Sequence, residues 1–87
     1  MQKKEFLLTV GHALNSRAAT LLVRKANLFK CKTTIEYDNT FVDLKSIMGV
    51  LSLAVPGNSN IAIICDGDDE LLAMDAITLA INEINSL

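Results

Sequence analysis

Few residues in this chain could do chemistry. His12 is its only histidine, Cys31 and Cys65 are its only cysteines, and Ser46 stands directly before the apolar run Ile47-Met48-Gly49-Val50-Leu51. An imidazole can take up and pass on a transferred group, but no second catalytic side chain lies at a useful spacing from His12. Asn15 cannot substitute for it, because the lone pair of a carboxamide nitrogen is delocalised into the carbonyl. Its side-chain oxygen suits it instead to accept from the free amides at a helix start, and Ser46 suits the same role, worth about 1 kcal/mol. The cysteines are 34 positions apart. With one histidine in the chain they make neither a zinc knuckle nor a redox pair at two-residue spacing, and they read as buried or half-buried thiols in a reducing compartment. Asp68, Asp69 and Glu70 suit the positive end of a helix dipole better than a metal site. No cofactor or metal is implied.

The elements that must position these residues fit in one domain, 1–87. A chain of this size buries about 60–65% of its unfolded surface, enough for one modest core and too little for a deep multi-substrate cleft. An apolar content of 51% excludes disorder. A net charge of −2, one tyrosine, three phenylalanines and no tryptophan argue against a direct nucleic-acid partner. Charge is divided along the chain. Eight bases and four acids lie at or before Lys45, a balance of +4, and six acids without a base follow, a balance of −6. The surface therefore has a basic side able to face an acidic or phosphorylated group.

Two apolar stretches invite a membrane or export assignment. The opening MQKKEFLLTVGHAL is broken by Thr9, Gly11 and His12 and reads as a strand of a cytoplasmic protein. Residues 46–65 carry no charge, but Pro56-Gly57-Asn58-Ser59-Asn60 interrupt them with five turn formers, so no spanning helix and no membrane partner is expected.

Alternation predicts a strand over 5–10 and a loop over 11–14. Asn15 then caps a helix over 17–29 whose buried stripe is Ala18, Leu22, Ala26 and Phe29. A strand over 32–37, a tight turn at Asp38-Asn39 and a strand over 40–42 make a hairpin. Ser46 caps a short helix, 61–65 is a strong strand, and Gly67 to Glu70 open a last helix to about 85. The order βαββαβα, with short strands, predicts an α+β open-faced sandwich: an antiparallel sheet with the helices on one face. The uncovered face carries Leu7, Ala62 and Ile64, an apolar patch that predicts self-association as a homodimer.

Two segments resemble a known family. Lys45-Ser46-Ile47-Met48-Gly49-Val50-Leu51-Ser52-Leu53 is similar to the regulatory-serine segment of HPr, the histidine-containing phosphocarrier protein of the bacterial sugar phosphotransferase system. Ala13-Leu14-Asn15-Ser16-Arg17-Ala18-Ala19-Thr20-Leu21 stands where that family reads Gly-x-His-x-Arg-Pro-Ala-Thr-x-Leu, and the spacing between the segments fits without gaps. The resemblance implies a four-stranded sheet with three helices on one face. It also implies a phosphate-holding role for Arg17 and a phosphorylation site at Ser46, modified by a dedicated HPr kinase/phosphorylase.

The departures decide what the resemblance implies for function. Asn15 occupies the position of the phosphate-accepting histidine, Ala18 that of the motif's proline and Ala13 that of its glycine. Phosphoryl carriage through residue 15 is lost, and a non-enzymatic regulator remains, as in the catabolite-repression HPr-like proteins that also lack the histidine and keep the serine. Phosphate adds a charge of about −1.5 to −2, tolerable at a helix N-terminus. Together with Arg17 and the apolar Ile47, Met48 and Leu51, it makes an epitope for a partner with a basic pocket and a hydrophobic rim. In the family that partner is a LacI-type transcription regulator such as catabolite control protein A, and the outcome is corepression in carbon catabolite regulation. The alternatives are a phosphotransferase carrier that uses His12, an unphosphorylated interaction module, and, last, an unrelated small-molecule enzyme.

Overall fold

The computed structural model describes residues 1–9 and 14–86. Its elements are β1 (Gln2–Leu8), α1 (Ser16–Ala26), β2 (Lys32–Tyr37), β3 (Thr40–Asp43), α2 (Ile47–Ser52), β4 (Ser59–Asp66) and α3 (Glu70–Asn85). The strands form one antiparallel sheet in the order β1-β4-β2-β3, with the three helices on one face. The last strand in sequence is thus an inner one, pairing Gln2↔Cys65 to Leu8↔Ser59 on one side and Lys32↔Asp66 to Glu36↔Ala62 on the other. Leu8, Ile35, Ile61 and Ile63 point to the helical side and meet Leu22 of α1 and Ile77, Ile81 and Ile84 of α3, all buried. Each such side chain contributes roughly 1.5–3 kcal/mol relative to exposure. Among the described residues no helix is long and apolar enough to cross a membrane.

The hairpin follows its sequence closely. Asp38 and Asn39 both take left-handed backbone, φ 51° and 63°, the geometry whose twist matches paired strands, and Tyr37 faces Thr40. Elsewhere boundaries moved. β1 begins at Gln2, not at residue 5: it is an edge strand, so Lys3 and Lys4 pair through their backbone while their side chains stay exposed. It ends at Leu8, and Val10 lies outside the described residues, as does most of the loop expected over 11–14. α1 stops at Ala26, where Leu28 and Phe29 donate to the carbonyls of Lys25 and Ala26 in tight turns. Phe29 reaches the core from that turn rather than from the helix. Ser59 and Asn60, expected in the loop, already belong to β4 because Leu8 and Leu7 pair with them.

The uncovered sheet face is less apolar than expected. Leu7 is half exposed, but Ala62 is buried and Ile64 is half-buried. Lys3 and Glu36, on strands either side of β4, form an ion pair at 3.4 Å across it. The long side chains of the two strands that flank β4 cover what its own short ones leave open.

Candidate functional site

Two helix starts carry the residues of interest, and each is closed by a side chain three positions ahead. At the first, the backbone N–H of Leu14 donates to the carbonyl of Val55 at 2.7 Å, which fixes the entry of the chain. Asn15 is extended (φ −79°, ψ 179°), and its Oδ1 accepts the N–H of Ala18 at 3.0 Å. The asparagine side chain is thus a working cap. Arg17, two residues further on, is exposed.

At the second, Ser46 is extended (φ −105°, ψ 111°), and its Oγ accepts the N–H of Gly49 at 3.1 Å. The serine is held from behind by its own N–H on the carbonyl of Asp43 at 3.1 Å. A strut joins this point to the end of α1: Asn27 Nδ2 donates to the carbonyl of Lys45 at 3.2 Å, and Lys45 Nζ to that of Phe29 at 2.7 Å. A Cβ on Gly49 would stand 3.3 Å from Ser46 Oγ and 3.6 Å from Val42 Cβ. Glycine in a helix sacrifices about 1 kcal/mol relative to alanine, and here it keeps the serine hydroxyl uncrowded.

The side chains of α2 divide their roles. Met48 is 76% exposed, whereas Ile47 and Leu51 are half-buried and packed against the core. The apolar patch beside Ser46 is therefore one free methionine flanked by two anchored residues. α1 and α2 pack on each other, but among the described residues no hydrogen bond or ion pair joins Arg17 to Ser46. Arg17 instead lines a groove between α1 and the end of α3 with Leu21, Arg24 and Glu83. His12 lies outside the described residues.

A third cluster escaped the sequence. Asp69 stands at the start of α3 but makes no side-chain cap there. Its carboxylate accepts the backbone N–H of Lys30 at 2.8 Å and of Cys31 at 2.9 Å, clamping the α1–β2 connection. Those two donors hold its carboxyl below the ordinary carboxylate range. Glu70 reaches back to the N–H of Gly67 at 3.1 Å, as a helix-start acid should. Gly67, at φ 154°, lets the chain pass Cys31 where a Cβ would fall 2.7 Å from the cysteine Cβ. Cys31 and Cys65 are both buried and unbridged. Burial raises both, Cys65 to about 12. Only the long-range fold that brings Asp69 beside Lys30 and Cys31 creates this cluster, so no local signal could have revealed it.

Comparison with known proteins places these helix starts in a wider group. A family model described as the PTS HPr component phosphorylation site matches residues 2–83. The HPr-like protein Crh of Halalkalibacterium halodurans is 40% identical over 77 residues, which are 88% of this chain and 92% of that protein. The crystal structure of HPr from Thermoanaerobacter tengcongensis matches with a TM-score of 0.93 and 31% identity over 100% of this chain and 98% of that one. The Bacillus subtilis catabolite repression protein Crh, solved as a swapped dimer, matches with a TM-score of 0.75 and 32% identity over 95% of each chain.

Proposed function

This chain belongs to the HPr family, and on that premise we propose that it is a regulatory member which signals through Ser46 and carries no phosphoryl group at residue 15. The observation that carries the proposal is the bond from Ala18 N–H to Asn15 Oδ1. The residue at the carrier position serves as a helix cap, and its amide has no nucleophilic nitrogen. An HPr kinase/phosphorylase phosphorylates Ser46, whose hydroxyl is half-buried at the start of α2 with the open space of Gly49 beside it. The phosphate gains from the helix dipole and leaves the fold intact. The modified serine, Met48 and the exposed edges of Ile47 and Leu51, with Arg17 on the neighbouring helix, form the surface read by a LacI-type regulator such as catabolite control protein A. The molecule is a non-catalytic, cytoplasmic, single-domain corepressor of carbon catabolite regulation. Self-association accords with the swapped dimer of the Bacillus subtilis relative.

The deciding experiment offers the protein both phosphate donors, the ATP-dependent kinase and the phosphorylated enzyme upstream of HPr, and locates the label by mass spectrometry. Label confined to Ser46 is expected. Acid-labile label on His12 would make the protein a carrier, and absence of any label would leave an unmodified interaction module. Ser46→Ala should abolish phosphorylation-dependent regulator binding while moving the thermal midpoint by only a few degrees, since a cap is worth about 1 kcal/mol.

A further inference from the structure

The outer surface of the helical layer carries two stripes that share only Arg17 with the Ser46 site. On α3, Leu72 and Leu79 are 66% and 69% exposed, with Asp75 between them and Glu83 one turn beyond. Spacings of three and four residues put all four on one helix face. α1 and its C-terminal turn show the matching pattern, Arg17, Leu21, Arg24 and Leu28, with Leu28 72% exposed. One stripe alternates leucine with acid, the other leucine with arginine. Among the described residues none of these four charges forms an ion pair within the chain. Leu28, Leu72 and Leu79, exposed this fully, with Leu21 half-buried between the arginines, mark a surface made to be covered.

The two helices run in opposite directions, because Asp69 at the start of α3 binds the backbone just after α1, while Glu83 near its end shares a groove with Arg17 at the start of α1. Arg17 is therefore level with Glu83, and Leu28 lies toward the level of Leu72. A twofold axis parallel to the helices and midway between them preserves these levels and lays each α1 over the other copy's α3. We propose that this face is a self-association surface for a second copy of the chain. Arg17 meets Glu83 of the other copy, Leu21 meets Leu79, Arg24 meets Asp75 and Leu28 meets Leu72, and each contact occurs twice. Such an interface is isologous and closes at the dimer. Its charges select register and partner while the leucines supply the burial. The dimer involves no strand exchange, and because it engages Arg17 it competes with the Ser46 surface for that residue.

Sedimentation equilibrium of the full chain over a range of concentrations tests this. The weight-average mass should climb from 9.5 kDa toward twice that value, and less steeply at high salt. Leu79→Glu, an exposed change that circular dichroism should show to be folded, should raise the dissociation constant at least about tenfold. Arg24→Glu alone and Asp75→Lys alone should each weaken the homodimer, and a mixture of the two should restore it, because each mixed contact again joins opposite charges. A constant monomer mass overturns the proposal. So does a dimer indifferent to Leu79→Glu, or a mixture that associates no better than its components.

Discussion

Asn15 and Ala18 are a matched pair. The N–H of Ala18 is the donor that the side chain of Asn15 accepts, at 3.0 Å. A proline at position 18, as in the family motif that the segment resembles, has no N–H to give. These two of the segment's departures from that motif, at residues 15 and 18, are therefore one structural change, in which a helix start with a reactive side chain becomes one that consumes a polar side chain in a cap.

A double-mutant cycle measures this coupling. Asn15→Ala should destabilise by about 1 kcal/mol. Ala18→Pro should cost that bond plus whatever the buried site loses in accommodating the ring. In the Asn15→Ala background the proline should be about 1 kcal/mol less damaging, as read by urea denaturation. A coupling energy near zero would show that the cap contributes nothing.

Gly49→Ala separates folding from modification. The alanine gains about 1 kcal/mol in helix propensity but places its Cβ against Ser46 Oγ and Val42, so the thermal midpoint should move by only a few degrees. The same methyl group stands where a kinase must deliver phosphate, and the rate of Ser46 labelling should fall severalfold. Equal labelling of variant and parent would show that the space beside the hydroxyl is not needed.

The clamp at Asp69 makes stability depend on acid. Because its folded carboxyl sits below the ordinary value of 3.8, its contribution is fully present above that pH and disappears as pH falls through the lower, folded value. Thermal midpoints measured from pH 7 to pH 2 should drop across this interval. Asp69→Asn should begin lower at pH 7, since one amide oxygen replaces two carboxylate acceptors for Lys30 and Cys31, and should show a shallower fall.

The buried thiols act at the other end of the scale. Burial, and then the neighbouring Cys31, push Cys65 to about 12 from a usual 9.0. Below pH 9 both folded and unfolded thiols are protonated and nothing changes. Between about 9 and 12 only the unfolded chain ionises, so stability should fall as pH rises through that window. At pH 8 iodoacetamide should modify Cys65 slowly in the native protein and readily in urea; rapid native alkylation would contradict its burial.

What the sequence by itself determined was local. The caps at Asn15 and Ser46, the left-handed turn at Asp38-Asn39 and the order of strands and helices each depend on residues within a few positions of one another, where propensity and hydrogen-bonding reach suffice. The identity of residue 15 excluded carrier chemistry at that position before any fold was drawn, because no tertiary setting gives a carboxamide a free nitrogen lone pair. Other features needed the tertiary structure. It turned Asp69 from a helix-start acid into a clamp on a segment 38 residues away, anchored Ile47 and Leu51 while leaving Met48 free, and set the sheet face under the Lys3–Glu36 pair. These outcomes depend on which strands and helices become neighbours. That is settled by the joint burial of the whole apolar set, and no short window of the chain contains it.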